Sequence, residues 1–440
     1  MKQVYFETFG CQMNVADTDR MELILFHSGF IRTSEKENAD LILINTCSIR
    51  EKAEQKIMSM LGSIQPLKVV NPNILIGLTG CLAQQEGARI AKKFPCLDLI
   101  MGPDMVESIA QAVDMAKTQK PLIWTEFDQI QSYSIPTVED NRNFGPSTFV
   151  NIIKGCDKFC SFCIVPFTRG REKSRLADEI CHEVIQKTSL GAREIILLGQ
   201  NVNSYGKRGL EEPTYFHELL HRVAAIPSLE RLRFTTSHPK DFTLETVLAF
   251  RELDVLMNHL HLPVQCGNNR ILGNMRRGYT IEEYLRLVDS LKSTVPDITF
   301  STDIIVGFPG EIDKEFQETL KLMELVGFDN SFMFAYSPRP GTPAAEMDND
   351  VPEEIKRERL QETIELQRSI TKKNGKRYVG KTVEVLIEDV ASRNGASFRG
   401  RTPHYWMAYL KSPNKHQLGD RVNMKVEEAR GHTLIGTVMN

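Results

Sequence analysis

Short apolar runs alternate with helix-like segments along the first quarter of the chain. Strands separated by helices usually pair in parallel, so this alternation predicts a parallel sheet covered on both faces. The predicted strands are VYFET (4–8), LILIN (41–45), ILIGLTG (74–80) and LDLIMG (97–102). The predicted helices span about 16–30, a charged run from about Arg50, AQQEGARIAKKF (83–94) and the segment after Pro103.

The middle of the chain repeats this alternation on a larger scale. Residues 1–117 are followed by a stretch without sustained periodicity, 118–141, which is predicted to be a linker. At least six strand–helix units within 142–373 then predict a full or partial (β/α) barrel, with its chemistry at the carboxyl ends of the strands. The candidate strands are TFVNII (148–153), EIILLG (194–199), LRFTT (232–236), LHLPV (260–264), ITFSTDIIVGF (298–308) and FMFAYS (332–337).

The pattern changes again near the C-terminus. A charged run with helical spacing extends from Pro352 to about Lys373 and is followed by short alternating segments. Five strands within 376–440 predict a small all-β barrel. They are KTVEVLIEDV, SFRGRT, HYWMAYL, RVNMKVEEA and HTLIGTVM. The fold class is therefore α/β with an added β-barrel.

Composition narrows the class of protein. The chain has 440 residues, 41% apolar and 25% charged, which is typical of a soluble globular protein with about three domains. No apolar run approaches the roughly 20 residues of a membrane span, and Glu7 interrupts the first one, which argues against a secretory signal. We expect a cytoplasmic protein. Its thiols would stay reduced, so nine cysteines favour metal binding or catalysis over disulfides.

The C-terminal module is basic although the chain as a whole is not. Residues 376–440 contain 11 Lys and Arg against 6 Asp and Glu, an excess of five positive charges, whereas the whole chain carries −3. Tyr405, Trp406 and Tyr409 could stack on bases while the basic side chains contact phosphates. An equally weighted alternative places the aromatic side chains in the core and the charges on a solvated surface.

Three cysteines fall within eight residues directly after the predicted strand TFVNII. Cys156, Cys160 and Cys163 have the spacing C-x3-C-x2-C in GCDKFCSFC. Structural zinc sites usually use four ligands, and no fourth Cys or His is near. Three thiolates on a four-iron cluster would instead leave one iron open for another ligand.

A second set of three cysteines is spread over the N-terminal segment. Cys11, Cys47 and Cys81 are 36 and 34 residues apart, and each follows a predicted strand. The carboxyl ends of parallel strands share one edge of a sheet, so these thiols are expected to converge there. The alternative, three ordinary buried cysteines, does not explain why all three follow strands.

The C-x3-C-x2-C loop after the first strand of a barrel resembles the signature of radical S-adenosylmethionine (SAM) enzymes. In that family the open iron binds SAM, and reductive cleavage gives methionine and a 5′-deoxyadenosyl radical. Phe162 matches the aromatic residue common before the last cysteine. The resemblance implies SAM as a cofactor and a cluster held by Cys156, Cys160 and Cys163.

Together with the N-terminal cysteines, this signature resembles the methylthiotransferases over essentially the whole chain. The resemblance implies an N-terminal auxiliary-cluster domain with a second [4Fe–4S] cluster on Cys11, Cys47 and Cys81, a radical SAM core and a C-terminal TRAM barrel that binds RNA. Nine sequence motifs resemble those of the family branch that acts on transfer RNA. They are FGCQMN, NTCSIREKAEQK, TGCLAQQ, FCIVPFTRGRE, LGQNVNSYG, TTSHP, HLPVQ, DIIVGFPGE and YSPRPGTPAA.

That branch methylthiolates C2 of N6-isopentenyladenosine 37. It uses two SAM molecules, one as methyl donor and one as radical source, and sulfur from the auxiliary cluster. Two alternatives keep the radical chemistry and change the target to threonylcarbamoyl-adenosine 37 or a ribosomal-protein aspartate. A third, from another class, is an RNA-binding protein whose cysteines hold a structural metal.

The resemblance also implies ligand contacts and partners. The expected partners are the anticodon stem-loop of tRNA, a reductant protein such as flavodoxin or ferredoxin and iron–sulfur assembly factors, with no membrane and a monomeric state. Arg169, Arg171 and Arg175 could steer phosphates, although a surface charge run is the default interpretation. An ordinary packed histidine is at least as good an interpretation of His238. The SAM contacts are expected at Phe162, Gly199, Gln200, Ser237, Gly307 and Gly310.

The other cysteines are expected to be structural. Cys96 and Cys181 lie in apolar-periodic segments, and Cys266 stands where the family more often has serine. The segment GRTPHYWMAYL also departs from the asparagine-containing motifs of the family. The details of RNA contact in this segment are therefore not implied by the resemblance.

Overall fold

The computed structural model describes residues 1–47, 51–127, 133, 144–348, 350–391, 397–412 and 415–439, with the backbone alone at 51–55. Most of the predicted linker and residues 48–50 of NTCSIREKAEQK therefore lie outside the described residues. Within the described ranges, no helix combines the length and apolar character of a membrane-spanning segment.

The N-terminal part forms the predicted parallel sheet. Its strands are β1 (Lys2–Phe9), β2 (Phe30–Arg32), β3 (Leu41–Thr46), β4 (Leu75–Gly80), β5 (Leu99–Met101) and β6 (Leu122–Trp124). They pair in the order β2-β1-β3-β4-β5-β6. The central strands β3 and β4 are buried along their whole length, which explains their nearly continuous apolar sequences.

Helices cover both faces of this sheet. They are α1 (Gln12–His27), α2 (Glu51–Val70), α3 (Cys81–Lys93) and α4 (Ile109–Met115). One core packs Leu61 of α2 and Ile90 of α3 against the sheet, and another packs Met21 of α1 and Val113 of α4. The apolar side chains at helical spacing thus supply two separate cores.

Two boundaries differ from the predictions. The first helix begins at Gln12 and ends at His27, because Gly29 adopts φ +87° and the chain turns into β2. Strand β6 lies inside the predicted linker, so the N-terminal sheet continues past residue 117. Both are short edge strands with few buried residues, and therefore the sequence pattern missed both β2 and β6.

The six predicted strands of the middle segment are present. Two further short strands, β8 and β9, form an antiparallel pair. The strands are β7 (Ser147–Asn151), β8 (Ile153–Lys154), β9 (Lys173–Ser174), β10 (Glu194–Leu198), β11 (Arg231–Phe234), β12 (His259–His261), β13 (Thr299–Val306) and β14 (Asn330–Ala335). The helices are α5 (Val165–Thr168), α6 (Ala177–Ser189), α7 (Phe216–Ala224), α8 (Leu244–Glu252), α9 (Asn269–Asn274), α10 (Ile281–Thr294), α11 (Asp313–Val326) and α12 (Glu353–Lys376).

The long parallel strands form two three-stranded sheets, β11-β10-β7 and β12-β13-β14. Single parallel bridges, Leu232 to Leu256 and Gln265 to Ile304, extend this pairing. Strand β12 stops at His261, two residues before Pro263, which has no backbone N–H to donate. The architecture confirms the predicted α/β fold of alternating strands and helices.

The chain divides into two compact units. Segments 153–157 and 164–176 pack with the N-terminal sheet in the first unit, although the sequence assigned them to the barrel. The second unit contains segments 158–163 and 177–439 together with β7.

The C-terminal residues form the predicted closed β-barrel, which belongs to the second unit. Its strands are β15 (Thr382–Val390), β16 (Phe398–Arg401), β17 (Met407–Lys411), β18 (Arg421–Arg430) and β19 (Thr433–Val438). They close in the order β15-β16-β17-β19-β18. Trp406 is fully buried in the barrel core with Tyr378 and Leu410.

The loop between β16 and β17 joins this barrel to the amino-terminal ends of the parallel strands. Arg233 of β11 donates to the carbonyl oxygens of Thr402 and Pro403, at 2.8 and 2.9 Å, and Tyr405 stacks on His259 with ring centroids 4.8 Å apart. The carboxyl ends of the strands lie on the opposite side of the core from this loop. A (β/α) protein binds its ligands at those ends.

Candidate cluster and ligand sites

The first cysteine trio lies at one edge of the N-terminal sheet. Phe9 of β1 pairs with Thr46 of β3, and Thr46 pairs with Gly80 of β4, so these three strands end level with one another. Cys11, Cys47 and Cys81 follow within two residues of those ends. The structure therefore places the three thiols at the same edge, as the sequence predicts.

Glycine lets the chain turn at the strand ends beside these cysteines. Gly80 has φ +91°, and a Cβ there would lie 2.4 Å from the carbonyl oxygen of Thr46. Gly10 has φ +146°, and a Cβ there would lie 2.7 Å from Cβ of Cys47. A side chain at either position would push neighbouring strand ends apart and displace the cysteines.

The thiols of Cys11 and Cys47 interact directly. A hydrogen bond with Cys47 lowers the pKa of Cys11 to about 6, and the nearby charge of Arg169 also lowers it, against the opposing effect of burial. Burial raises the pKa of Cys81, while the charge and a hydrogen bond of Arg169 oppose that rise. The Cys11 Sγ lies 3.4 Å from Oδ1 of Asn14. That amide oxygen accepts from the thiol, whereas the hydrogen bond with Cys47 and the charge of Arg169 favour the thiolate, the form that binds iron.

A buried network holds Asn14 in place. Its Nδ2 donates to Oδ1 of Asn45 at 3.0 Å and to the carbonyl oxygen of Thr46 at 3.2 Å. Asn45 Nδ2 in turn donates to Thr18 Oγ1 at 3.0 Å. With both donors of Asn14 used, its amide oxygen is directed to Cys11. No sequence pattern indicates this network apart from the position of Asn14 in FGCQMN.

Arg169 belongs to this first site. It is buried and donates from Nη2 to Oδ2 of Asp17 at 2.8 Å. Burial lowers the pKa of Arg169, but the charges of Asp17, Cys81 and Cys11 outweigh burial and the net pKa is raised. Arg175 is also buried, whereas Arg171 is exposed and pairs with Asp157 at 2.5 Å. Two roles were predicted for Arg169, steering of phosphates and membership of a charged surface segment. Neither role fits a side chain that is buried and paired with Asp17.

These three thiols form a donor set that a four-iron cluster can use. Among the described side chains, no group of three His, Cys, Asp or Glu converges on a position for one metal ion. In a four-iron cluster each thiolate binds a different iron, so the sulfurs need not share one centre. The donor set is therefore compatible with a cluster held by three cysteines.

The second cysteine trio lies where the chain passes between the two compact units. Cys156 belongs to the first unit, where its amide donates to the carbonyl oxygen of Gly170 at 3.2 Å. Cys160 and Cys163 belong to the second, where the amide of Cys163 donates to the carbonyl oxygen of Cys160 at 2.9 Å. Phe162 between them is partly exposed.

Two anchors fix the part of this loop that belongs to the second unit. Lys158 forms an ion pair with the buried Asp241 at 2.6 Å. Ser161 accepts from the amide of Ala344 at 2.8 Å and donates from Oγ to the carbonyl oxygen of Asn274 at 2.7 Å. The loop is thereby tied to three separate segments of the core.

Asp241 is a buried carboxylate that accepts several hydrogen bonds, a role that the sequence did not predict. It accepts from Lys158, Lys207 and Asn201, each at 2.7 Å. Burial raises the pKa of Asp241, but these three hydrogen bonds outweigh it and the net pKa is lowered. A lone Asp two residues after Pro239 in a loop carries no sequence signal for such a role.

The predicted ligand residues at the strand ends carry buried polar atoms without a protein partner. Both side-chain polar atoms of Gln200, Oγ of Ser237 and Nε2 of His238 make no hydrogen bond within the described protein. Burial and the charge of Arg277 lower the pKa of His238 to about 2, and its Nδ1 accepts from the amide of Lys240 at 3.3 Å. The imidazole is therefore neutral with Nε2–H as donor. Buried polar atoms without partners are what a polar ligand would satisfy.

The predicted glycines have other neighbours. Gly307 has φ +69°, and a Cβ there would lie 2.4 Å from Cγ of the buried Lys356. Gly310 has φ +77°, and a Cβ there would lie 3.7 Å from Nη1 of Arg270. The close packing at Gly307 is thus with Lys356 of this chain. Gly199 is buried directly after β10.

The remaining cysteines are structural. Cys266 is fully buried, its Sγ lies 3.5 Å from Oγ1 of Thr319, and burial raises its pKa to about 12. Burial also raises the pKa values of Cys96 and Cys181. Thiols with raised pKa values are poor nucleophiles, which agrees with the structural roles predicted for these three cysteines.

The aromatic residues of the barrel separate into two groups. Trp406 is buried and stacks on His432, and Tyr405 lies between His259 and the Arg401 guanidinium. The stacking role considered for these two side chains is therefore wrong. Tyr409 is partly exposed on the outer face of β17, and Lys411 lies two residues further along the same face. Lys411 pairs with Thr437 of β19, and Thr437 pairs with Lys425 of β18.

Comparisons with known proteins agree with this organisation. Residues 3–102 match the family described as "Uncharacterized protein family UPF0004", residues 150–323 match the radical SAM superfamily and residues 376–439 match the TRAM domain. A solved structure of the radical SAM methyltransferase TsrM from Kitasatospora setae is similar in fold, with a TM-score of 0.58 and 13% identity over 78% of this chain and 75% of that one. The match to the radical SAM superfamily thus defines the class, a radical SAM enzyme.

Full-length relatives narrow the class. The chain is 42% identical over its whole length to the tRNA-2-methylthio-N(6)-dimethylallyladenosine synthase of Ectopseudomonas mendocina, covering 98% of that protein. It is 43% identical to the protein of the same name from Caldicellulosiruptor saccharolyticus, covering 93% of it. The chain belongs to the tRNA-2-methylthio-N(6)-dimethylallyladenosine synthase family. Its cofactors are SAM and [4Fe–4S] clusters.

Proposed function

We propose that the protein methylthiolates C2 of N6-isopentenyladenosine 37 in tRNA. The observation that carries this proposal is the edge of the N-terminal sheet, where strands of equal register present Cys11, Cys47 and Cys81 together in a chain that also has the C-x3-C-x2-C loop. One set of three thiols suffices for radical generation, and a second set supplies a place from which sulfur can be delivered.

The proposed residues divide the work between two sites. Cys156, Cys160 and Cys163 would hold the cluster that binds SAM, and Cys11, Cys47 and Cys81 would hold the auxiliary cluster. When bound, these groups supply radical generation from one SAM and a sulfur that is methylated by another. The chain contributes the thiolates, fixes the loop through Lys158 and Ser161, and keeps both sets of thiols largely buried.

Gln200, Ser237 and His238 are proposed to bind the polar parts of SAM. Their partnerless buried atoms support this role, since each would gain a hydrogen bond that the folded chain does not supply. The neutral imidazole of His238 would act as a fixed donor through Nε2–H. Phe162, Gly199, Gly307 and Gly310 stay proposed SAM contacts. Lys356 occupies only the space that the missing side chain of Gly307 leaves.

The outer face of the β-barrel is proposed to contact RNA. Tyr409 offers a partly exposed ring, and Lys411 and Lys425 are exposed on strands that flank β19. Base stacking and phosphate contacts together are the usual means by which β-barrels hold single-stranded RNA. We further propose a monomeric, cytoplasmic enzyme that receives electrons from a flavodoxin- or ferredoxin-type protein, with its clusters installed by iron–sulfur assembly factors.

Nucleoside analysis of tRNA tests this function directly. Deleting the gene should remove 2-methylthio-N6-isopentenyladenosine and leave N6-isopentenyladenosine in its place. Loss of the methylthio group from threonylcarbamoyl-adenosine, or from a ribosomal protein, would reassign the substrate. An anaerobically purified protein should be brown with about eight irons and should form 5′-deoxyadenosine from SAM. A colourless protein that holds zinc would contradict the proposal.

A further inference from the structure

Arg169 and Asp17 form a buried ion pair beside the N-terminal cysteines. Arg169 ends the short helix α5, and its backbone N–H donates to the carbonyl oxygen of Val165 at 2.8 Å. Its guanidinium Nη2 donates to Oδ2 of Asp17 on α1 at 2.8 Å, and both side chains are almost completely buried. These two residues and the three cysteines all belong to the first compact unit.

The guanidinium is shared between the carboxylate and the thiols. Helix α5, which Arg169 ends, packs on α3, which begins at Cys81, and the charge of Arg169 acts on both Cys81 and Cys11. Arginine has five N–H donors in a rigid plane, so one edge can be held by Asp17 while others face sulfur. Asp17 thus fixes the orientation in which Arg169 meets the thiols.

A buried ion pair is a costly way to stabilise a fold. Removing two charges from water can cost more than their attraction returns, and apolar residues of similar volume often serve as well. The pair is better explained by a nearby negative charge that needs a cation. Three thiolates with an iron–sulfur core provide such a charge, and it grows when the cluster is reduced.

We propose that Arg169, oriented by Asp17, is a positioning residue that stabilises the cluster on Cys11, Cys47 and Cys81 and sets its reduction potential. The inference rests on the proposed function, which places a cluster there. Hydrogen bonds and charges around the sulfurs are known determinants of cluster potential. Neither residue needs to contact SAM or RNA.

The two members of the pair should have opposite effects. Arg169→Gln removes the cation and leaves the buried Asp17 near the thiolates, so reduction becomes harder and the potential shifts to more negative values. Asp17→Asn keeps the cation and removes its counter-charge, so the potential shifts to less negative values. Arg169→Lys retains the charge without the planar set of donors, and its potential should lie between those of Arg169→Gln and the parent.

The experiment uses the full-length chain with Cys156, Cys160 and Cys163 replaced by alanine, so that only the auxiliary cluster contributes. Iron and sulfide are measured after anaerobic reconstitution, and the potential is measured by electron paramagnetic resonance during a redox titration. Arg20→Gln is the matched control, because Arg20 also lies on α1 and pairs with Glu107 at 2.7 Å. It should leave the potential unchanged.

Each result has a defined meaning. Opposite shifts for Arg169→Gln and Asp17→Asn support the inference, as does selective loss of iron from an Arg169→Gln protein whose metal-free form melts like the parent. If Arg169→Gln does not fold, the direction of the Asp17→Asn shift decides. Equal potentials and iron contents in all variants would overturn the inference alone. A parent without a cluster would overturn the proposed function and this inference with it.

Discussion

The guanidinium of Arg277 lies 3.4 Å from the sulfur of Cys160, measured from Nη1 to Sγ. Arg277 is buried, donates from Nη2 to the carbonyl oxygen of Pro263 at 2.8 Å and lies over the ring of Tyr279. Its pKa is raised by Tyr279 and Cys160 in spite of burial, so it stays charged. A fixed cation therefore faces a proposed ligand of the SAM-binding cluster.

We expect Arg277→Gln to lower the rate of 5′-deoxyadenosine formation by ~10–100-fold, the usual effect of removing a group that supports a metal ligand. The adjacent Arg276 is exposed and provides a matched control. Arg276→Gln should keep near-normal SAM cleavage. The measurement is product formation per cluster, with iron content determined for each variant. Equal rates for both variants would show that the contact with Cys160 has no role in the reaction.

A second prediction concerns acid stability. Glu194 is fully buried and accepts from Arg233 at 2.7 Å. Burial raises its pKa, but Arg233, Arg231 and Ser147 outweigh this effect and the net pKa is lowered. A lowered folded-state pKa means that the stabilisation is present above the unfolded pKa, about 4.3, and is lost as the pH falls through the folded value.

Glu194→Gln should therefore destabilise the second unit by about 3–5 kcal/mol near neutral pH, because Arg233 keeps its charge in a buried site. The loss should shrink as the pH falls below about 4. Chemical unfolding at several pH values measures both effects. The exposed Glu245 offers a control, and Glu245→Gln should change the free energy of unfolding far less than Glu194→Gln does. A pH-independent loss for Glu194→Gln would contradict the ionised pair.

The parts of the fold that could be predicted were those with a long periodic signal. The alternation of buried apolar strands such as β3 and β4 with amphipathic helices fixed the architecture, and the position of cysteines after strands anticipated their common edge. Strands β2 and β6 have three residues each and carry no period. Their places depend on pairing with β1 and β5, which no local pattern encodes.

Side-chain roles at the sites were harder to predict. Arg169, Arg171 and Arg175 look alike in FTRGREKSR, yet two are buried and one is exposed, because the chain between them crosses from a short helix to a two-stranded pair. Asp17, Asp241 and Arg277 each contact at least one partner that is more than 30 residues away in sequence. Such contacts follow from the folded topology rather than from spacing.

A third prediction separates the two proposed clusters. Cys47→Ala should reduce the iron content from about eight to about four per chain and abolish methylthio transfer, while SAM cleavage continues at Cys156, Cys160 and Cys163. Cys96→Ala is the control, because Cys96 is also buried in the N-terminal unit but lies outside the proposed cluster. Iron analysis and tRNA nucleoside analysis give the two readouts. Normal methylthiolation by Cys47→Ala would eliminate the proposed sulfur-donor site.

The fourth prediction distinguishes RNA contact from domain packing on the β-barrel. Lys411 and Lys425 are exposed on the outer face that also presents Tyr409, whereas Tyr405 packs between His259 and Arg401. Replacing both lysines by glutamine should weaken tRNA binding at low salt and reduce the salt dependence of binding by about two ion equivalents, because each phosphate contact releases about one counterion. The melting temperature should stay near that of the parent.

Tyr405→Ala should give the reverse result. Its ring fills the junction between the barrel and the parallel strands, so its loss should lower the melting temperature while leaving the salt dependence of tRNA binding unchanged. Filter binding or fluorescence titration over a range of salt concentrations, combined with thermal melting of both variants, makes the comparison. A reduced salt dependence for Tyr405→Ala, with none for the double lysine variant, would place the RNA contact at the junction and refute the outer-face assignment.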